Sequence, residues 1–225
     1  MRLRRKPWID EAITEYGSFV HLDNCAEWKG KWRSLFAQPD LPLYVELGTG
    51  KGRFISQMAQ LYPQINFIGI EVQLGVLYYA AKKTAEASLN NVRLLRFNVE
   101  HLMDIFDDGE VDRFYINFCD PWPKKKHAKR RLTHRGFLQR YAELLQPGGQ
   151  VVFKSDNAGL FSFTLEEFEA CHWPLTEVTF DLHHSGILNE AMTEYEAKFS
   201  AKGQPIFHCV ATRPEEVVMF DGEAE

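Results

Sequence analysis

Leu43-Tyr44-Val45-Glu46-Leu47-Gly48-Thr49-Gly50-Lys51-Gly52-Arg53-Phe54 is the stretch on which the fold turns. Leu43–Leu47 is a short apolar run, read as a buried strand. The glycines after it predict a tight turn. Residues 54–61 then repeat apolar side chains at helical spacing. Outward from there the alternation continues. Residues 65–72 read as a strand ending near Glu71, 74–88 as a helix, and 92–97 and 113–118 as strands. A helix over 133–145 takes Thr133 as its N-cap. Pro147-Gly148-Gly149 turns the chain into a strand at 150–155. A helix near 160–169, a strand near 175–182, a helix near 193–201 and a strand at 206–212 follow. Such alternation predicts an α/β protein, a parallel sheet with helices on both faces. The last two strands are joined by a helix, so pattern alone leaves a hairpin ending unread. Ligands of these sheets bind beyond the carboxyl ends of the strands, where the strand order reverses.

The chain has 225 residues, 45% hydrophobic and 25% charged, which suits one α/β domain with a substantial core. Residues 43–214 form that domain. Residues 1–42, basic and then aromatic-rich, are expected to lie against it as an appendage, and 215–225 form an acidic tail. Cys25, Cys119, Cys171 and Cys209 have no CxxC spacing, so no zinc knuckle or thioredoxin-like pair is available. Cys119 and Cys209 lie in apolar runs and read as buried thiols, which fits a reducing cytoplasm. No secretory signal and no membrane-spanning run is evident.

The net charge of −5 argues against nucleic acid until its distribution is considered. Residues 124–140 carry eight Lys or Arg and no acid. Four further basic residues stand in the first six, while acids gather near the C-terminus. Binding of a polyanion follows the local potential, because salt screens distant charges.

Three strand ends carry the informative residues. Gly48, Gly50 and Gly52 let the backbone turn sharply and approach a ligand. Their GxGxG pattern is neither the dinucleotide GxGxxG nor a P-loop, and taken alone it leaves a ligand-free turn as the lesser alternative. Glu71 is placed to accept hydrogen bonds from ribose hydroxyls; alone, it is equally a solvated strand end. Together, at this spacing, the two point to a nucleoside cofactor. Asn98, after the third strand, is placed for an adenine edge. Asp120-Pro121-Trp122-Pro123 follows the fourth strand on a loop stiffened by two prolines. A carboxylate and an indole there suit an aromatic base, the bland alternative being a strand terminator with a core Trp. Lys124-Lys125-Lys126-His127-Ala128-Lys129-Arg130-Arg131 leads straight out of that loop. Most charge runs are solvated faces, but this one lacks acids and reads as a phosphate-binding surface.

Glu46-Leu47-Gly48-Thr49-Gly50-Lys51-Gly52-Arg53-Phe54, Asn117-Phe118-Cys119-Asp120-Pro121-Trp122-Pro123-Lys124, Lys129-Arg130-Arg131-Leu132, Phe153-Lys154-Ser155-Asp156-Asn157 and Thr193-Glu194-Tyr195-Glu196 together resemble the bacterial tRNA (guanine-N7-)-methyltransferases. The resemblance covers nearly the whole chain. It implies a Rossmann-like class I methyltransferase fold, with a mostly parallel seven-stranded sheet and helices on both faces. It also implies S-adenosylmethionine as cofactor, no metal, tRNA as partner, no membrane, and a monomer or homodimer. The activity implied is methylation of N7 of the variable-loop guanosine 46. By the resemblance Glu46, Glu71, Asn98 and Asp120 contact the cofactor, with Asp120 also catalytic. Lys124, Asp156, Thr193, Glu194, Tyr195 and Glu196 contact the substrate base. Lys126, His127, Lys129, Arg130 and Arg131 contact RNA. Lys126 stands where Arg is common, keeping the charge and losing the bidentate fork. Thr193 and Glu196 also fit a capping box, which from the residues alone is the stronger reading.

Other classes make distinct demands. A non-catalytic RNA-binding module would need no cofactor loop. A nicotinamide-dependent oxidoreductase would need GxGxxG and a catalytic His or Tyr/Lys pair. A methyltransferase for another base or a small molecule is excluded only by the family motifs and the basic run.

Overall fold

A computed structural model describes residues 6–216. Arg2, Arg4 and Arg5 of the basic start and the acidic tail from residue 217 lie outside the described residues. In chain order the elements are α1 (Trp8–Ala12), β1 (Val20–His21), β2 (Leu43–Leu47), α2 (Arg53–Leu61), β3 (Asn66–Ile70), α3 (Leu74–Glu86), β4 (Val92–Leu95) and β5 (Val111–Asn117). Then come α4 (Arg135–Leu144), β6 (Leu145–Ser155), α5 (Ala158–Ala170), β7 (Leu175–Thr179), α6 (Glu194–Ser200) and β8 (Phe207–Thr212).

They build one sheet in the order β1-β4-β3-β2-β5-β6-β8-β7. All neighbours are parallel except that β8 runs antiparallel to both β6 and β7. The order reverses between β2 and β5, so the crevice opens beyond their carboxyl ends. Glu46 on β2 lies opposite Tyr115 on β5, one residue short of the end of β2 and two short of the end of β5.

Successive residues of β5 face opposite ways. Tyr115 packs with Phe54, Ile55, Met58 and Leu77 of α2 and α3. Phe114 and Ile116 pack with Phe137, Leu138, Tyr141 and Phe161 of α4 and α5. A sheet covered on both faces explains why its central strands read as unbroken apolar runs.

Among the described residues the sheet has eight strands, not the expected seven. The added strand, β1, comes from the N-terminal segment. Leu94 and Arg96 donate their backbone N–H groups to the carbonyls of Phe19 and His21, both at 2.9 Å. The segment thus covers the sheet edge that β4 would otherwise leave open. Trp32 anchors the same segment. It is fully buried and donates its indole N–H to the Ile105 carbonyl at 2.6 Å.

Thr133 is not the cap of α4. His134 caps it, its Nδ1 accepting the Gly136 N–H at 3.1 Å. Thr133 is wholly buried one residue earlier, its hydroxyl 2.7 Å from that of Thr164. Of the two cysteines expected to be buried, Cys209 is fully buried while Cys119 is half-buried. Among the described residues no helix is long and apolar enough to cross a membrane.

Candidate active site

The glycine turn after β2 is pinned from behind and open in front. The Gly48 and Thr49 N–H groups both donate to the Ile70 carbonyl at 2.9 Å. Gly48, Gly50 and Gly52 all take positive φ, at 82°, 58° and 78°. A Cβ on Gly48 or Gly50 would meet nothing within 4 Å, whereas one on Gly52 would lie 2.7 Å from the Ala80 Cβ and 2.8 Å from its Cα. The first two glycines therefore leave room for a ligand, and the third lets α2 and α3 pack. Gly52→Ala combines a left-handed backbone with a backbone clash. It should cost about 2–4 kcal/mol of unfolding free energy in urea melts, against about 1 kcal/mol for Gly50→Ala.

Gly48 borders a cavity of about 440 Å³, lined also by Glu71, Asn98, Asn117, Asp120 and Trp122. Glu46 lies just beneath it, 3% exposed. Its carboxylate accepts the Thr49 hydroxyl at 2.6 Å and the Asn117 amide at 3.0 Å, and so ties the glycine turn to the end of β5. Burial pushes this carboxyl up to about 7, against the pull of the two hydrogen bonds. Asn117 Oδ1 is buried with no hydrogen-bond partner among the described residues, an acceptor left for an incoming donor. Glu71 accepts the N–H groups of Gly50 at 3.2 Å and Gln73 at 2.9 Å, while burial raises its pKa. Asn98 caps the short 3-10 turn that follows, accepting the Glu100 N–H at 3.1 Å and donating to its carboxylate at 3.2 Å. It still lines the cavity.

Across the crevice stands the loop after β5. Phe118 and Trp122 carry positive φ, 53° and 40°, unusual for non-glycine residues and typical of functional sites. Asp120 is exposed and borders the cavity; its carboxylate has no hydrogen bond or ion pair among the described residues. The thiol of neighbouring Cys119 is pushed up to about 12, first by burial and then by the Asp120 charge, so it stays protonated. Arg130 lies over the Trp122 ring at 5.0 Å and His127 meets that ring edge-on at 5.6 Å. Lys124, Lys125, Lys126 and Lys129 are exposed on the 3-10 turn beyond.

Arg131 departs from its expected place on the RNA surface. Its Nε donates to the Pro121 carbonyl at 3.1 Å, its Nη2 to the Trp122 carbonyl at 3.0 Å, and its guanidinium covers the Phe163 ring at 4.3 Å. It braces the Asp-Pro-Trp-Pro loop from behind, and charge counting along the sequence does not distinguish a brace from a free cation.

The Thr193–Glu196 motif and Asp156 come together beside this loop. Tyr195 donates its hydroxyl to Asp156 Oδ2 at 2.9 Å, and its ring lies 5.1 Å from that of Phe118. Glu194 pairs with Lys83, which also donates to the Lys51 carbonyl of the glycine turn at 2.9 Å. Thr193 caps α6 by accepting the Glu196 N–H at 2.9 Å. Glu196 does not complete the capping box. It is fully buried, its Oε1 accepting the Asn189 amide at 2.6 Å and its Oε2 lying 3.4 Å from Lys154 Nζ. It is therefore an internal strut and not an exposed reader of a base.

Residues 40–209 match a family described as "Putative methyltransferase". The chain is 48% identical over 207 residues to the tRNA (guanine-N(7)-)-methyltransferase of Bacillus subtilis (strain 168), covering 92% of this chain and 96% of the relative. It is 49% identical over 214 residues to the enzyme of the same name from Geobacillus kaustophilus (strain HTA426), covering 95% and 98%. The chain belongs to the tRNA (guanine-N(7)-)-methyltransferase family. A solved antibiotic-related methyltransferase shares the fold with a TM-score of 0.56 and 17% identity, covering 94% of this chain and 96% of that one. The fold is accordingly the Rossmann-like class I methyltransferase fold, with one extra edge strand.

Within this family site, sequence reasoning missed Thr49, Lys83, Asn117, Lys154 and Asn189. Lys83, Asn117, Lys154 and Asn189 act by hydrogen bonding across elements distant in the chain, which no local pattern encodes, whereas Thr49 bonds Glu46 within the glycine turn itself. Only Lys154 left a hint, as a lysine inside an otherwise apolar strand.

Glu46 also sets a pH dependence. Its folded pKa of about 7 exceeds the ordinary carboxylate value of 4.5, so between those values the folded state holds the extra proton. Stability is then fullest below about pH 4.5 on this account and falls as pH rises through 7, by about 3 kcal/mol in all. Glu46→Gln should flatten that part of the profile in urea melts between pH 5 and 8. A rotated Asn117 amide can meet either end of the new side chain.

Proposed function

We propose that this protein transfers a methyl group from S-adenosylmethionine to N7 of guanosine 46 in the variable loop of tRNA. The observation that carries the reading is the Asp120-Pro121-Trp122 loop. It sets an unengaged carboxylate at the mouth of the glycine-turn cavity and leads directly into exposed lysines. The family relationship supports tRNA and guanine N7 as the target.

The cavity suits the cofactor. The open space at Gly48 and Gly50 and the orphaned Asn117 acceptor accommodate a polar ligand with donor groups. Gly48, Gly50 and Gly52 would hold it at the turn, Glu71 would take ribose hydroxyls, and Asn98 would meet the adenine. Glu46 would act from beneath, by fixing Thr49 and Asn117. When bound, S-adenosylmethionine supplies an electrophilic methyl on a cationic sulfur.

Guanine N7 has an in-plane lone pair and needs no deprotonation. The protein must therefore hold the base in line, a proximity effect. Positive charge develops on the base as it reacts, and the Asp120 carboxylate stabilises it there. Asp156, with Tyr195 bonded to it, has lone pairs for the Watson–Crick N–H donors of guanine, and Lys124 and Thr193 would contact the same base. Lys126, His127, Lys129 and Arg130 bind the phosphates. The base must leave its stack to enter. A rival reading, methylation at a pyrimidine carbon through a cysteine adduct, needs a thiolate, and Cys119 with a pKa near 12 supplies none.

The test is transfer of labelled methyl to an unmodified tRNA transcript, followed by cleavage specific for 7-methylguanosine. Label at the variable-loop guanosine is the expected result. Label at another base overturns the assignment of target, and no transfer with normal tRNA binding overturns catalysis.

A further inference from the structure

The segment before α6, residues 187–193, has no regular secondary structure, yet it leads into Tyr195, whose ring lies 5.1 Å from that of Phe118 in the loop after β5 and whose hydroxyl donates to Asp156. Its backbone takes no part in the sheet. Side chains hold it instead. Lys154 rises from β6 beneath it, only 5% exposed, with Nζ donating to Asn189 Oδ1 at 2.6 Å and the Ala191 carbonyl at 3.0 Å. The same Nζ lies 3.4 Å from Glu196 Oε2 and 5.5 Å from the centre of the Phe54 ring. Glu196 returns the contact to the segment through Asn189 and approaches His183 Nε2 at 3.4 Å. One ammonium thus joins the sheet, the irregular segment and the first turn of α6.

We propose that Lys154, with Glu196 as its counter-ion, is a positioning residue that fixes the 187–196 segment against the sheet so that Thr193 and Tyr195 face the substrate base. This rests on the reading of the site as a base-methylating one. Lys154 does not line the glycine-turn cavity and touches its floor only through the field of its charge at Glu46, so its loss acts first on the substrate side. The proposed phosphate contacts lie elsewhere, on residues 126–130, so RNA affinity should be spared as well.

Lys154→Met leaves Glu196 buried without its cation and so risks misfolding. The Lys154→Met/Glu196→Gln double variant removes both charges and keeps an amide for Asn189. The experiment measures backbone hydrogen exchange of the protein alone, cofactor affinity by calorimetry, and steady-state methylation of tRNA. In the double variant, exchange should rise about tenfold or more in residues 183–196 and stay unchanged in β2 and β5. The value of kcat should fall about tenfold or more, with KM for tRNA and Kd for the cofactor within about threefold. Unchanged exchange in 183–196 overturns the strut. Raised exchange with wild-type kcat overturns the positioning role, and so does a variant that recovers both stability and kcat once Glu196 is neutralised. Failure of the site reading shows separately, as absence of methyl transfer by the unaltered protein, with the exchange result still deciding the strut.

Discussion

Asp120→Asn should lower kcat for tRNA methylation about 10²- to 10³-fold, the loss typical of removing one group aimed at developing charge. The substitution keeps the shape and an acceptor oxygen and removes only the negative charge. Since the carboxylate has no partner among the described residues, nothing structural depends on it. Stability should change little, and the cofactor Kd should rise by less than about tenfold. A second consequence is local. The Asp120 charge helps to hold the Cys119 thiol up near 12, so its removal should lower that value and quicken alkylation at high pH. Stopped-time transfer assays with saturating tRNA check the main effect. Turnover within a factor of about two of wild type would remove Asp120 from the chemistry and leave the loop as a mere strand terminator.

The second large effect separates two kinds of cation in one run of sequence. Lys125, Lys126 and Lys129 are exposed, whereas Arg131 is spent on the Pro121 and Trp122 carbonyls. Replacing the three lysines with alanine should weaken tRNA binding about 10- to 100-fold near 0.1 M salt. It should also reduce the slope of log K against log salt by about 2 to 3, with kcat at saturation retained. Arg131→Ala should do the opposite. It frees two buried-side carbonyls and a loop held at unusual φ, so kcat falls while the salt slope stays within about one unit of wild type. Filter binding across a salt series, run beside turnover assays, reads both. A slope unchanged by the lysine substitutions would move the RNA surface elsewhere. A slope change from Arg131 equal to that from a lysine would return it to that surface.

Much of the fold was legible because it is written in local signals. Periodicity marked the strands from β2 to β8 and the helices between them to within three residues, except that β6 begins at Leu145, five residues before its expected start, and runs through the Pro147-Gly148-Gly149 expected to be a turn. The two-residue β1 left no period to detect. The direction of β8 was equally silent, because alternation records which face a side chain takes and not which way its strand runs. Thr133 met every compositional demand of an N-cap, but its hydroxyl found Thr164 and the cap passed to His134.

The candidate site divides in the same way. The glycine turn, the acids at the strand ends, the proline-stiffened loop and the acid-free run behind it can all be read along the chain. These depend on residue type and short spacing, which fix backbone freedom and local charge. Which charged groups face solvent and which are consumed inside was settled by packing. It turned Glu46 beneath the turn toward Asn117, committed Arg131 to its own loop, and drew Glu196 inward to Lys154 across 42 residues of chain. Burying a charge is costly unless it meets a partner. Where that partner sits is a property of the packed sheet, and no spacing along the chain contains it.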